Sequence, residues 1–272
     1  MNIYKKSKNK AEVFFQKEIA PGIYDMRLAT EHAAGARPGQ FVGVFIPSAD
    51  RLLPRPISIC ESGTSMLRLI YRVTGRGSGT EVLSRCKKGD EIDIIGMLGN
   101  SFPYEKAAGK EVIIMGGGIG IPPLLETAKR IATDSDQAPA SITAFLGYRD
   151  GNTFLAAEFE PYSEVVIASE DGSAGHRGNV IDAFRAEGRK LSDNTIIYAC
   201  GPTPMLRAIG EFSDSCPDHH GTYLSLEERM ACGVGACLGC VCQTAAIDEH
   251  SQVRNARVCT EGPVFEASEV VL

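Results

Sequence analysis

The run Glu111-Val-Ile-Ile-Met-Gly-Gly-Gly-Ile-Gly-Ile-Pro-Pro-Leu-Leu125 reads as a buried strand, a glycine turn and the start of a helix. Val112 to Met115 are uninterrupted apolar residues, as a strand covered on both faces requires. Pro122 and Pro123 suit the first helical turn, where a missing N–H leaves no bond unmade. Leu124, Leu125, Ala128 and Ile131 then recur at helical spacing. Strand-like runs follow at 141–148, 164–169 and 195–200, with helix-like segments near 154–159, 179–187 and 204–212. This alternation predicts a parallel sheet with helices on both faces. The glycine turn departs from the G-x-G-x-x-G fingerprint, because Pro122 and Pro123 precede the third glycine's place. By itself it is a poor dinucleotide signature.

Upstream, residues 12–99 show short β-type segments separated by Gly, Pro and Asp. The run 40–46 is apolar and rich in β-branched residues. Over 66–73, Leu67, Leu69, Tyr71 and Val73 fall on one face and Arg68 and Arg72 on the other. A further strand is expected at 91–95. Strands of this length and spacing predict an antiparallel barrel or sandwich. Two pieces here carry chemistry. Arg55-Pro56-Ile57-Ser58 holds a guanidinium and a hydroxyl apart on a rigid proline, which suits a pyrophosphate and a ring edge. Tyr71-Arg72-Val73-Thr74, followed by Gly75-Arg76-Gly77-Ser78-Gly79-Thr80, offers exposed backbone N–H groups to a phosphate. Each is weak alone: an Arg-Pro pair commonly ends a strand, and a Gly/Ser run is commonly a plain turn.

Near the C-terminus, Met230-Ala-Cys-Gly-Val-Gly-Ala-Cys-Leu-Gly-Cys-Val-Cys242 places Cys232, Cys237 and Cys240 in a C-x4-C-x2-C pattern. Cys259 follows after a gap of 18 residues. A close triplet with one distant cysteine is the plant-type [2Fe–2S] spacing. A structural zinc site usually has two C-x2-C pairs, and chance crowding of core cysteines is the blandest alternative. Cys242 is a fifth thiol, set aside because the ferredoxin pattern takes its last ligand from afar.

The chain has 272 residues, enough for about two domains, with 43% hydrophobic and 23% charged residues. A net charge of −6 argues against nucleic acid as the main partner. The polar N-terminal stretch lacks the apolar core of a signal peptide, and no apolar run approaches a membrane span. Nine cysteines without a secretion signal point to a reducing, cytoplasmic setting and to metal ligation. The five histidines show no ligand spacing, and no Ser/His/Asp or P-loop arrangement is present. Glu170 and Asp171 after the run 164–169 would repel a 2′-phosphate and accept from free ribose hydroxyls, which favours NAD over NADP.

The Arg55–Ser58 and Gly77–Thr80 elements, the Gly116–Leu124 turn and Cys200-Gly201-Pro202 together resemble the ferredoxin–NADP reductase superfamily. With the cysteine run and Arg257-Val-Cys-Thr-Glu-Gly-Pro-Val-Phe265, nearly the whole chain is similar to the electron-transfer subunits of the dihydroorotate dehydrogenase B family. The resemblance implies three units: an FAD-binding barrel over 1–100, an NAD-binding α/β domain over 101–222 and a [2Fe–2S] segment over 223–272. It places Arg55 and Ser58, with Pro56 and Ile57 between them, at the FAD phosphate and isoalloxazine. Tyr71, Arg72, Val73 and Thr74 would lie along the flavin, and Gly79 and Thr80 at its pyrophosphate. Gly116, Gly117, Gly118 and Gly120 would serve NAD, with Asp171 at its ribose and Cys200, Gly201 and Pro202 beside the nicotinamide. Cys232, Cys237, Cys240 and Cys259 would hold the cluster. It further implies an FMN-containing catalytic partner, two copies of each subunit, and no catalytic side chain for dihydroorotate in this chain. Two departures stand out: a long stretch over 244–255, and a lysine-rich N-terminal decapeptide expected to be disordered.

Overall fold

The structure is a computed structural model that describes residues 8–133, 138–216, 218–248 and 252–272. Six antiparallel strands form the first unit: β1 (Lys8–Ala20), β2 (Ile23–Ala29), β3 (Phe41–Val44), β4 (Arg55–Ser62), β5 (Met66–Arg72) and β6 (Glu91–Leu98). They close as β1-β2-β5-β4-β3-β6, with β6 returning to pair with β1. Closure removes the unpaired edges an open sheet would expose. β1 already begins at Lys8, which pairs with Ile95, so the end of the lysine-rich decapeptide is strand. Residues 1–7 lie outside the described residues.

The expected alternation in β5 is present, but both of its faces are covered. Leu67, Leu69 and Tyr71 fill the barrel, while Arg68 and Ile70 on the outer face are buried under the second unit. Arg68 is therefore an ionic hub between the two. It contacts Asp25 at 2.9 Å and Glu61 at 2.8 Å within the barrel. Across the interface its Nη2 donates to Glu158 Oε1 at 2.9 Å. Beside it, Lys129 reaches Glu61 at 3.2 Å, and buried Glu126 is held by Arg130 at 2.9 Å. A guanidinium taken out of water persists only where such partners replace its hydration.

The second unit runs β7 (Glu111–Gly117), α2 (Pro122–Thr133), β8 (Ser141–Tyr148), α3 (Ala156–Phe159), β9 (Glu164–Ser169), β10 (His176–Arg177), α4 (Val180–Ala186), β11 (Thr195–Cys200), α5 (Thr203–Ser213) and β12 (Gly221–Ser225). The C-terminal part adds β13 (Val241–Gln243), β14 (Asn255–Arg257) and β15 (Val264–Glu266). The large sheet has the order β10-β9-β8-β7-β11-β12-β15, parallel except for β15 against β12. From β7 the chain builds outward in one direction, then crosses to β11 on the other side. That reversal opens a crevice at the carboxyl ends of β7 and β11, where open α/β sheets take ligands.

One boundary differs from the sequence expectation. A division after residue 222 falls inside β12, whose register with β11 runs from Gly221 to Ser225. The cysteine-bearing part is also no appendage, since β15 completes the sheet's edge. Neither was visible in periodicity, because β12 and β15 are short runs with no helix between them and the cysteine loop. No described helix is long and apolar enough to cross a membrane.

Removing the hub should expose its role. Arg68→Ala leaves buried Asp25 with only the more distant Arg27, at 3.7 Å, and is expected to cost about 3 kcal/mol in urea unfolding. Lys129→Ala, at the wetter edge of the network, should cost under about 1 kcal/mol.

Candidate redox and nucleotide site

The crevice is a cleft of about 640 Å³ between the barrel and the large sheet. The β1–β2 turn (Ala20 to Ile23), Arg72 and Val73 form its barrel side. Gly117, Gly118, Tyr148, Arg149, Glu170, Asn179 and Pro202 belong to its sheet side. Gly118 has φ +52, and a side chain there would approach the Arg72 guanidinium at 3.2 Å, so Arg72 reaches across to the glycine turn. Gly120 lies behind the cleft wall, pressed on the end of β11. A Cβ on it would stand 2.5 Å from the Cys200 carbonyl and the Gly201 nitrogen, which only glycine avoids. Gly116 packs against Ile121 and Leu124 in the same way, behind the cleft. Cys200 and Gly201 sit at the end of β11 beneath it. Burial pushes the Cys200 thiol up to about 12 against the opposing Ser225 hydroxyl, so Cys200 is a neutral donor at neutral pH.

Asp171 does not line the cleft. Its carboxylate accepts from the Ser173 amide at 2.9 Å and from the Ser173 hydroxyl at 2.6 Å, closing an exposed turn. Those two donors hold its pKa below the ordinary carboxylate value. Glu170 takes the cleft-facing place instead. The Asx turn through Ser173 explains the exchange of roles and could have been read from Asp-Gly-Ser.

A second grouping lies on the barrel beside α1 (Gly79–Leu83). Arg55 crosses over Gly79, where a Cβ would meet Arg55 Nε at 2.9 Å, and its Nη1 donates to the Leu53 carbonyl at 2.8 Å. Thr80 Oγ1 accepts from the Thr74 amide at 3.0 Å and lies 3.1 Å from Ser78 Oγ, which fixes the loop 74–80. Arg55, Thr74, Gly79 and Thr80 are thus brought together. Pro56, Ile57 and Ser58 follow Arg55 along β4, with Ser58 half-buried opposite Phe41. The Tyr71 side chain departs from expectation. It points into the barrel, bonds Gln16 at 2.9 Å and stacks on Tyr24 at 5.8 Å. Inward alternation from Leu67 and Leu69 dictates this, and it leaves Arg72 as the outward group.

The third grouping is the four cysteines. β13 and β14 form an antiparallel hairpin in which Val241 pairs with Arg257. One step further, the Val258 amide donates to the Cys240 carbonyl at 2.9 Å, so the hairpin zips Cys259 back onto Cys240. The ladder before Cys259 brings it back, the chain leaving β13 at Gln243 and re-entering the hairpin at Asn255. Residues 249–251 lie outside the described residues. Cys232 and Cys237 form one pair of sulfurs and Cys240 and Cys259 another. Burial resists ionisation of Cys232, but the amides of Val234, Cys237 and Ala236 and the Cys237 thiol prevail and lower it to about 6. Cys259 is raised to about 11 by burial and by the adjoining Cys240 thiol. Two pairs suit two irons, each held by two thiolates, and the amides directed at Cys232 favour its deprotonated form. Cys242 stands in β13 opposite Ala256 of β14.

Comparison with known proteins agrees with each grouping. Residues 227–271 match the iron–sulfur cluster binding domain of dihydroorotate dehydrogenase B, and residues 114–211 match the oxidoreductase NAD-binding domain. The dihydroorotate dehydrogenase B (NAD(+)) electron transfer subunit of Enterococcus faecalis is 44% identical over 265 residues, covering 94% of this chain and 95% of its own. That of Geobacillus thermodenitrificans is 40% identical over 264 residues, covering 96% and 97%. The chain belongs to this family of electron-transfer subunits. Among solved structures, a chain of the NADH-dependent reduced ferredoxin-NADP oxidoreductase superposes with a TM-score of 0.81 at 27% identity, over 96% of this chain and 89% of that one. The family and its reductase fold make this an NAD-linked oxidoreductase subunit, with FAD, a [2Fe–2S] cluster and NAD as cofactors.

The pairing of thiols yields a direct expectation. Cys259→Ser should lose most of the iron while keeping flavin, because a lost ligand also loosens the loop it anchors. Cys242→Ser should keep both. Iron content and the electron-paramagnetic signal of the reduced protein check this; bleaching by Cys242→Ser beside an intact Cys259→Ser would reverse the assignment.

Proposed function

We propose that this chain carries electrons between an FMN-containing dihydroorotate dehydrogenase catalytic subunit and NAD+, in an assembly of two copies of each. The observation that supports it most is the convergence of Cys232, Cys237, Cys240 and Cys259 at the edge of the same sheet that forms the nucleotide cleft. The nicotinamide exchanges a hydride, the cluster passes single electrons and FAD does both, so the flavin belongs between the other two.

The residues then divide the work. Arg55, with the amides at Gly79 and Thr80, neutralises the flavin diphosphate, and Ser58 stands on the same strand toward the ring. Arg72 and the Gly117–Gly118 turn receive the phosphates of NAD. Glu170 accepts from its ribose hydroxyls and would face a 2′-phosphate with like charge. Cys200, kept neutral by burial, offers a thiol beside the nicotinamide without adding charge to it. Pro202 begins the turn into α5 and closes that side of the cleft. No residue set among the described residues suits dihydroorotate, and its oxidation is assigned to the partner.

The assignment predicts a division of activity. Alone, the purified holoprotein should pass electrons from NADH to artificial acceptors and leave dihydroorotate untouched. Adding the partner should create dihydroorotate:NAD+ activity; dihydroorotate turnover by this chain alone would refute the division.

Nucleotide choice tests the cleft. NADH should reduce the flavin much faster than NADPH, and Glu170→Arg should narrow that preference about tenfold or more, by removing repulsion and adding a phosphate partner. Asp171→Ala should barely change it, since Asp171 is committed to Ser173. Stopped-flow reduction with both nucleotides separates the two carboxylates.

A further inference from the structure

Thr260 follows the last cysteine, and its Oγ1 is buried with no hydrogen-bond partner among the described residues. A hydroxyl shut away from water nearly always finds an acceptor. Its amide donates to the Arg257 carbonyl at 3.0 Å. The side chain is pressed against Gly235, in the loop between Cys232 and Cys237. A Cβ on Gly235 would meet Thr260 Cγ2 at 2.9 Å and Oγ1 at 3.4 Å. The amide of the same glycine is directed at the Cys259 sulfur. Gly235 therefore touches both the unpaired hydroxyl and a thiol, which sets Thr260 Oγ1 at the wall of the space the four sulfurs share.

We propose that Thr260 is a positioning donor to the iron–sulfur cluster, its hydroxyl hydrogen-bonding a cluster sulfur and raising the cluster's reduction potential. The inference rests on the cluster reading given above. A sulfur supplies the acceptor that the protein around Oγ1 lacks. Reduction adds negative charge that spreads onto the sulfurs, so a fixed donor stabilises the reduced form more than the oxidised one. Because Oγ1 itself is shut away from water, its own bond is not diluted by competing solvent. Thr260 makes no claim on the ligand set; it acts through the sulfurs.

The test is a redox titration of the holoprotein followed by the paramagnetic signal of the reduced cluster. Thr260→Val keeps the shape and removes the donor; it should shift the reduction equilibrium about tenfold toward the oxidised form, or about 59 mV for a one-electron couple. Thr260→Ser keeps the hydroxyl and should stay within about threefold of the unaltered protein, or about 28 mV at that conversion. An unchanged potential in Thr260→Val, or equal shifts in both variants, would overturn the proposal in favour of simple packing. Should Thr260→Val not retain iron, the unaltered protein answers instead. Hydroxyl protons exchange far faster than buried amides, so brief transfer to D2O should introduce one strongly coupled deuteron detectable by electron–nuclear double resonance. Its absence would equally refute the hydroxyl–sulfur bond. Iron content of the unaltered protein tests the underlying cluster reading separately: no iron defeats that reading, whereas an indifferent potential defeats only Thr260.

Discussion

The side-chain amide of Asn100 holds the three parts of the molecule in one frame. It donates to the Glu261 carbonyl at 2.9 Å and to the Val264 carbonyl at 2.7 Å, and accepts from the Val264 amide at 2.9 Å. Its own amide donates to the Gly262 carbonyl at 2.6 Å. Asn100 stands just after β6, where the chain leaves the barrel, and its partners belong to the segment that runs from Cys259 into β15. The exit of the barrel is thereby fastened to the strand that brings the cysteine loop back. On the other side of the barrel the Arg68 hub fixes the nucleotide domain. Electron transfer falls steeply with separation and hydride transfer requires near contact, so a rigid three-way frame is what such a chain must supply.

Within that frame the cleft follows from strand ends. The parallel strands β7 and β11 end side by side, and each must turn sharply so that the following helix can pack back on the sheet. Gly120 permits the closest part of this turn by lying on the Cys200 carbonyl. The Cys200 thiol at the same strand end is kept neutral by its own burial. The barrel contributes the β1–β2 turn and the end of β5, where inward residues build the core and the outward Arg72 crosses to the glycine turn. A shift of register by one residue would exchange Arg72 with Tyr71 and remove the cation from the cleft.

Much of this was legible in the residues. The strands over 141–148, 164–169 and 195–200 stand at the expected places, because continuous apolar runs between glycine and charged turns admit few other readings. That Arg55 belongs with Gly79 and Thr80 came from the resemblance of their motifs, and the structure does lay Arg55 over Gly79. What escaped depends on long-range partners. Nothing local to Gly221–Ser225 or Val264–Glu266 announces that they pair with each other. Asp171 looked as eligible as Glu170 until the Ser173 turn consumed it. Arg68 read as the polar face of a strand, and its burial depends on Glu158, 90 residues away. Tyr71 was drawn to the flavin by its motif although its own alternation already pointed it inward.

The distant cysteine is where chain entropy and bond geometry meet. Bringing Cys259 to Cys240 closes a loop whose entropic cost grows only slowly with length, so the long stretch 244–255 is a small burden. Orientation is the harder requirement, since a thiol that arrives facing wrongly cannot ligate. The β13–β14 ladder meets it by fixing register: once Cys242 stands opposite Ala256, Cys240 stands opposite Val258 and Cys259 follows directly. Loop length can therefore vary without moving the ligand, whereas one residue gained or lost between Arg257 and Cys259 would turn the fourth thiol away from the other three. The same register that delivers Cys259 places Cys242 opposite Ala256, in the hairpin itself rather than in the loop from Cys232 to Cys240.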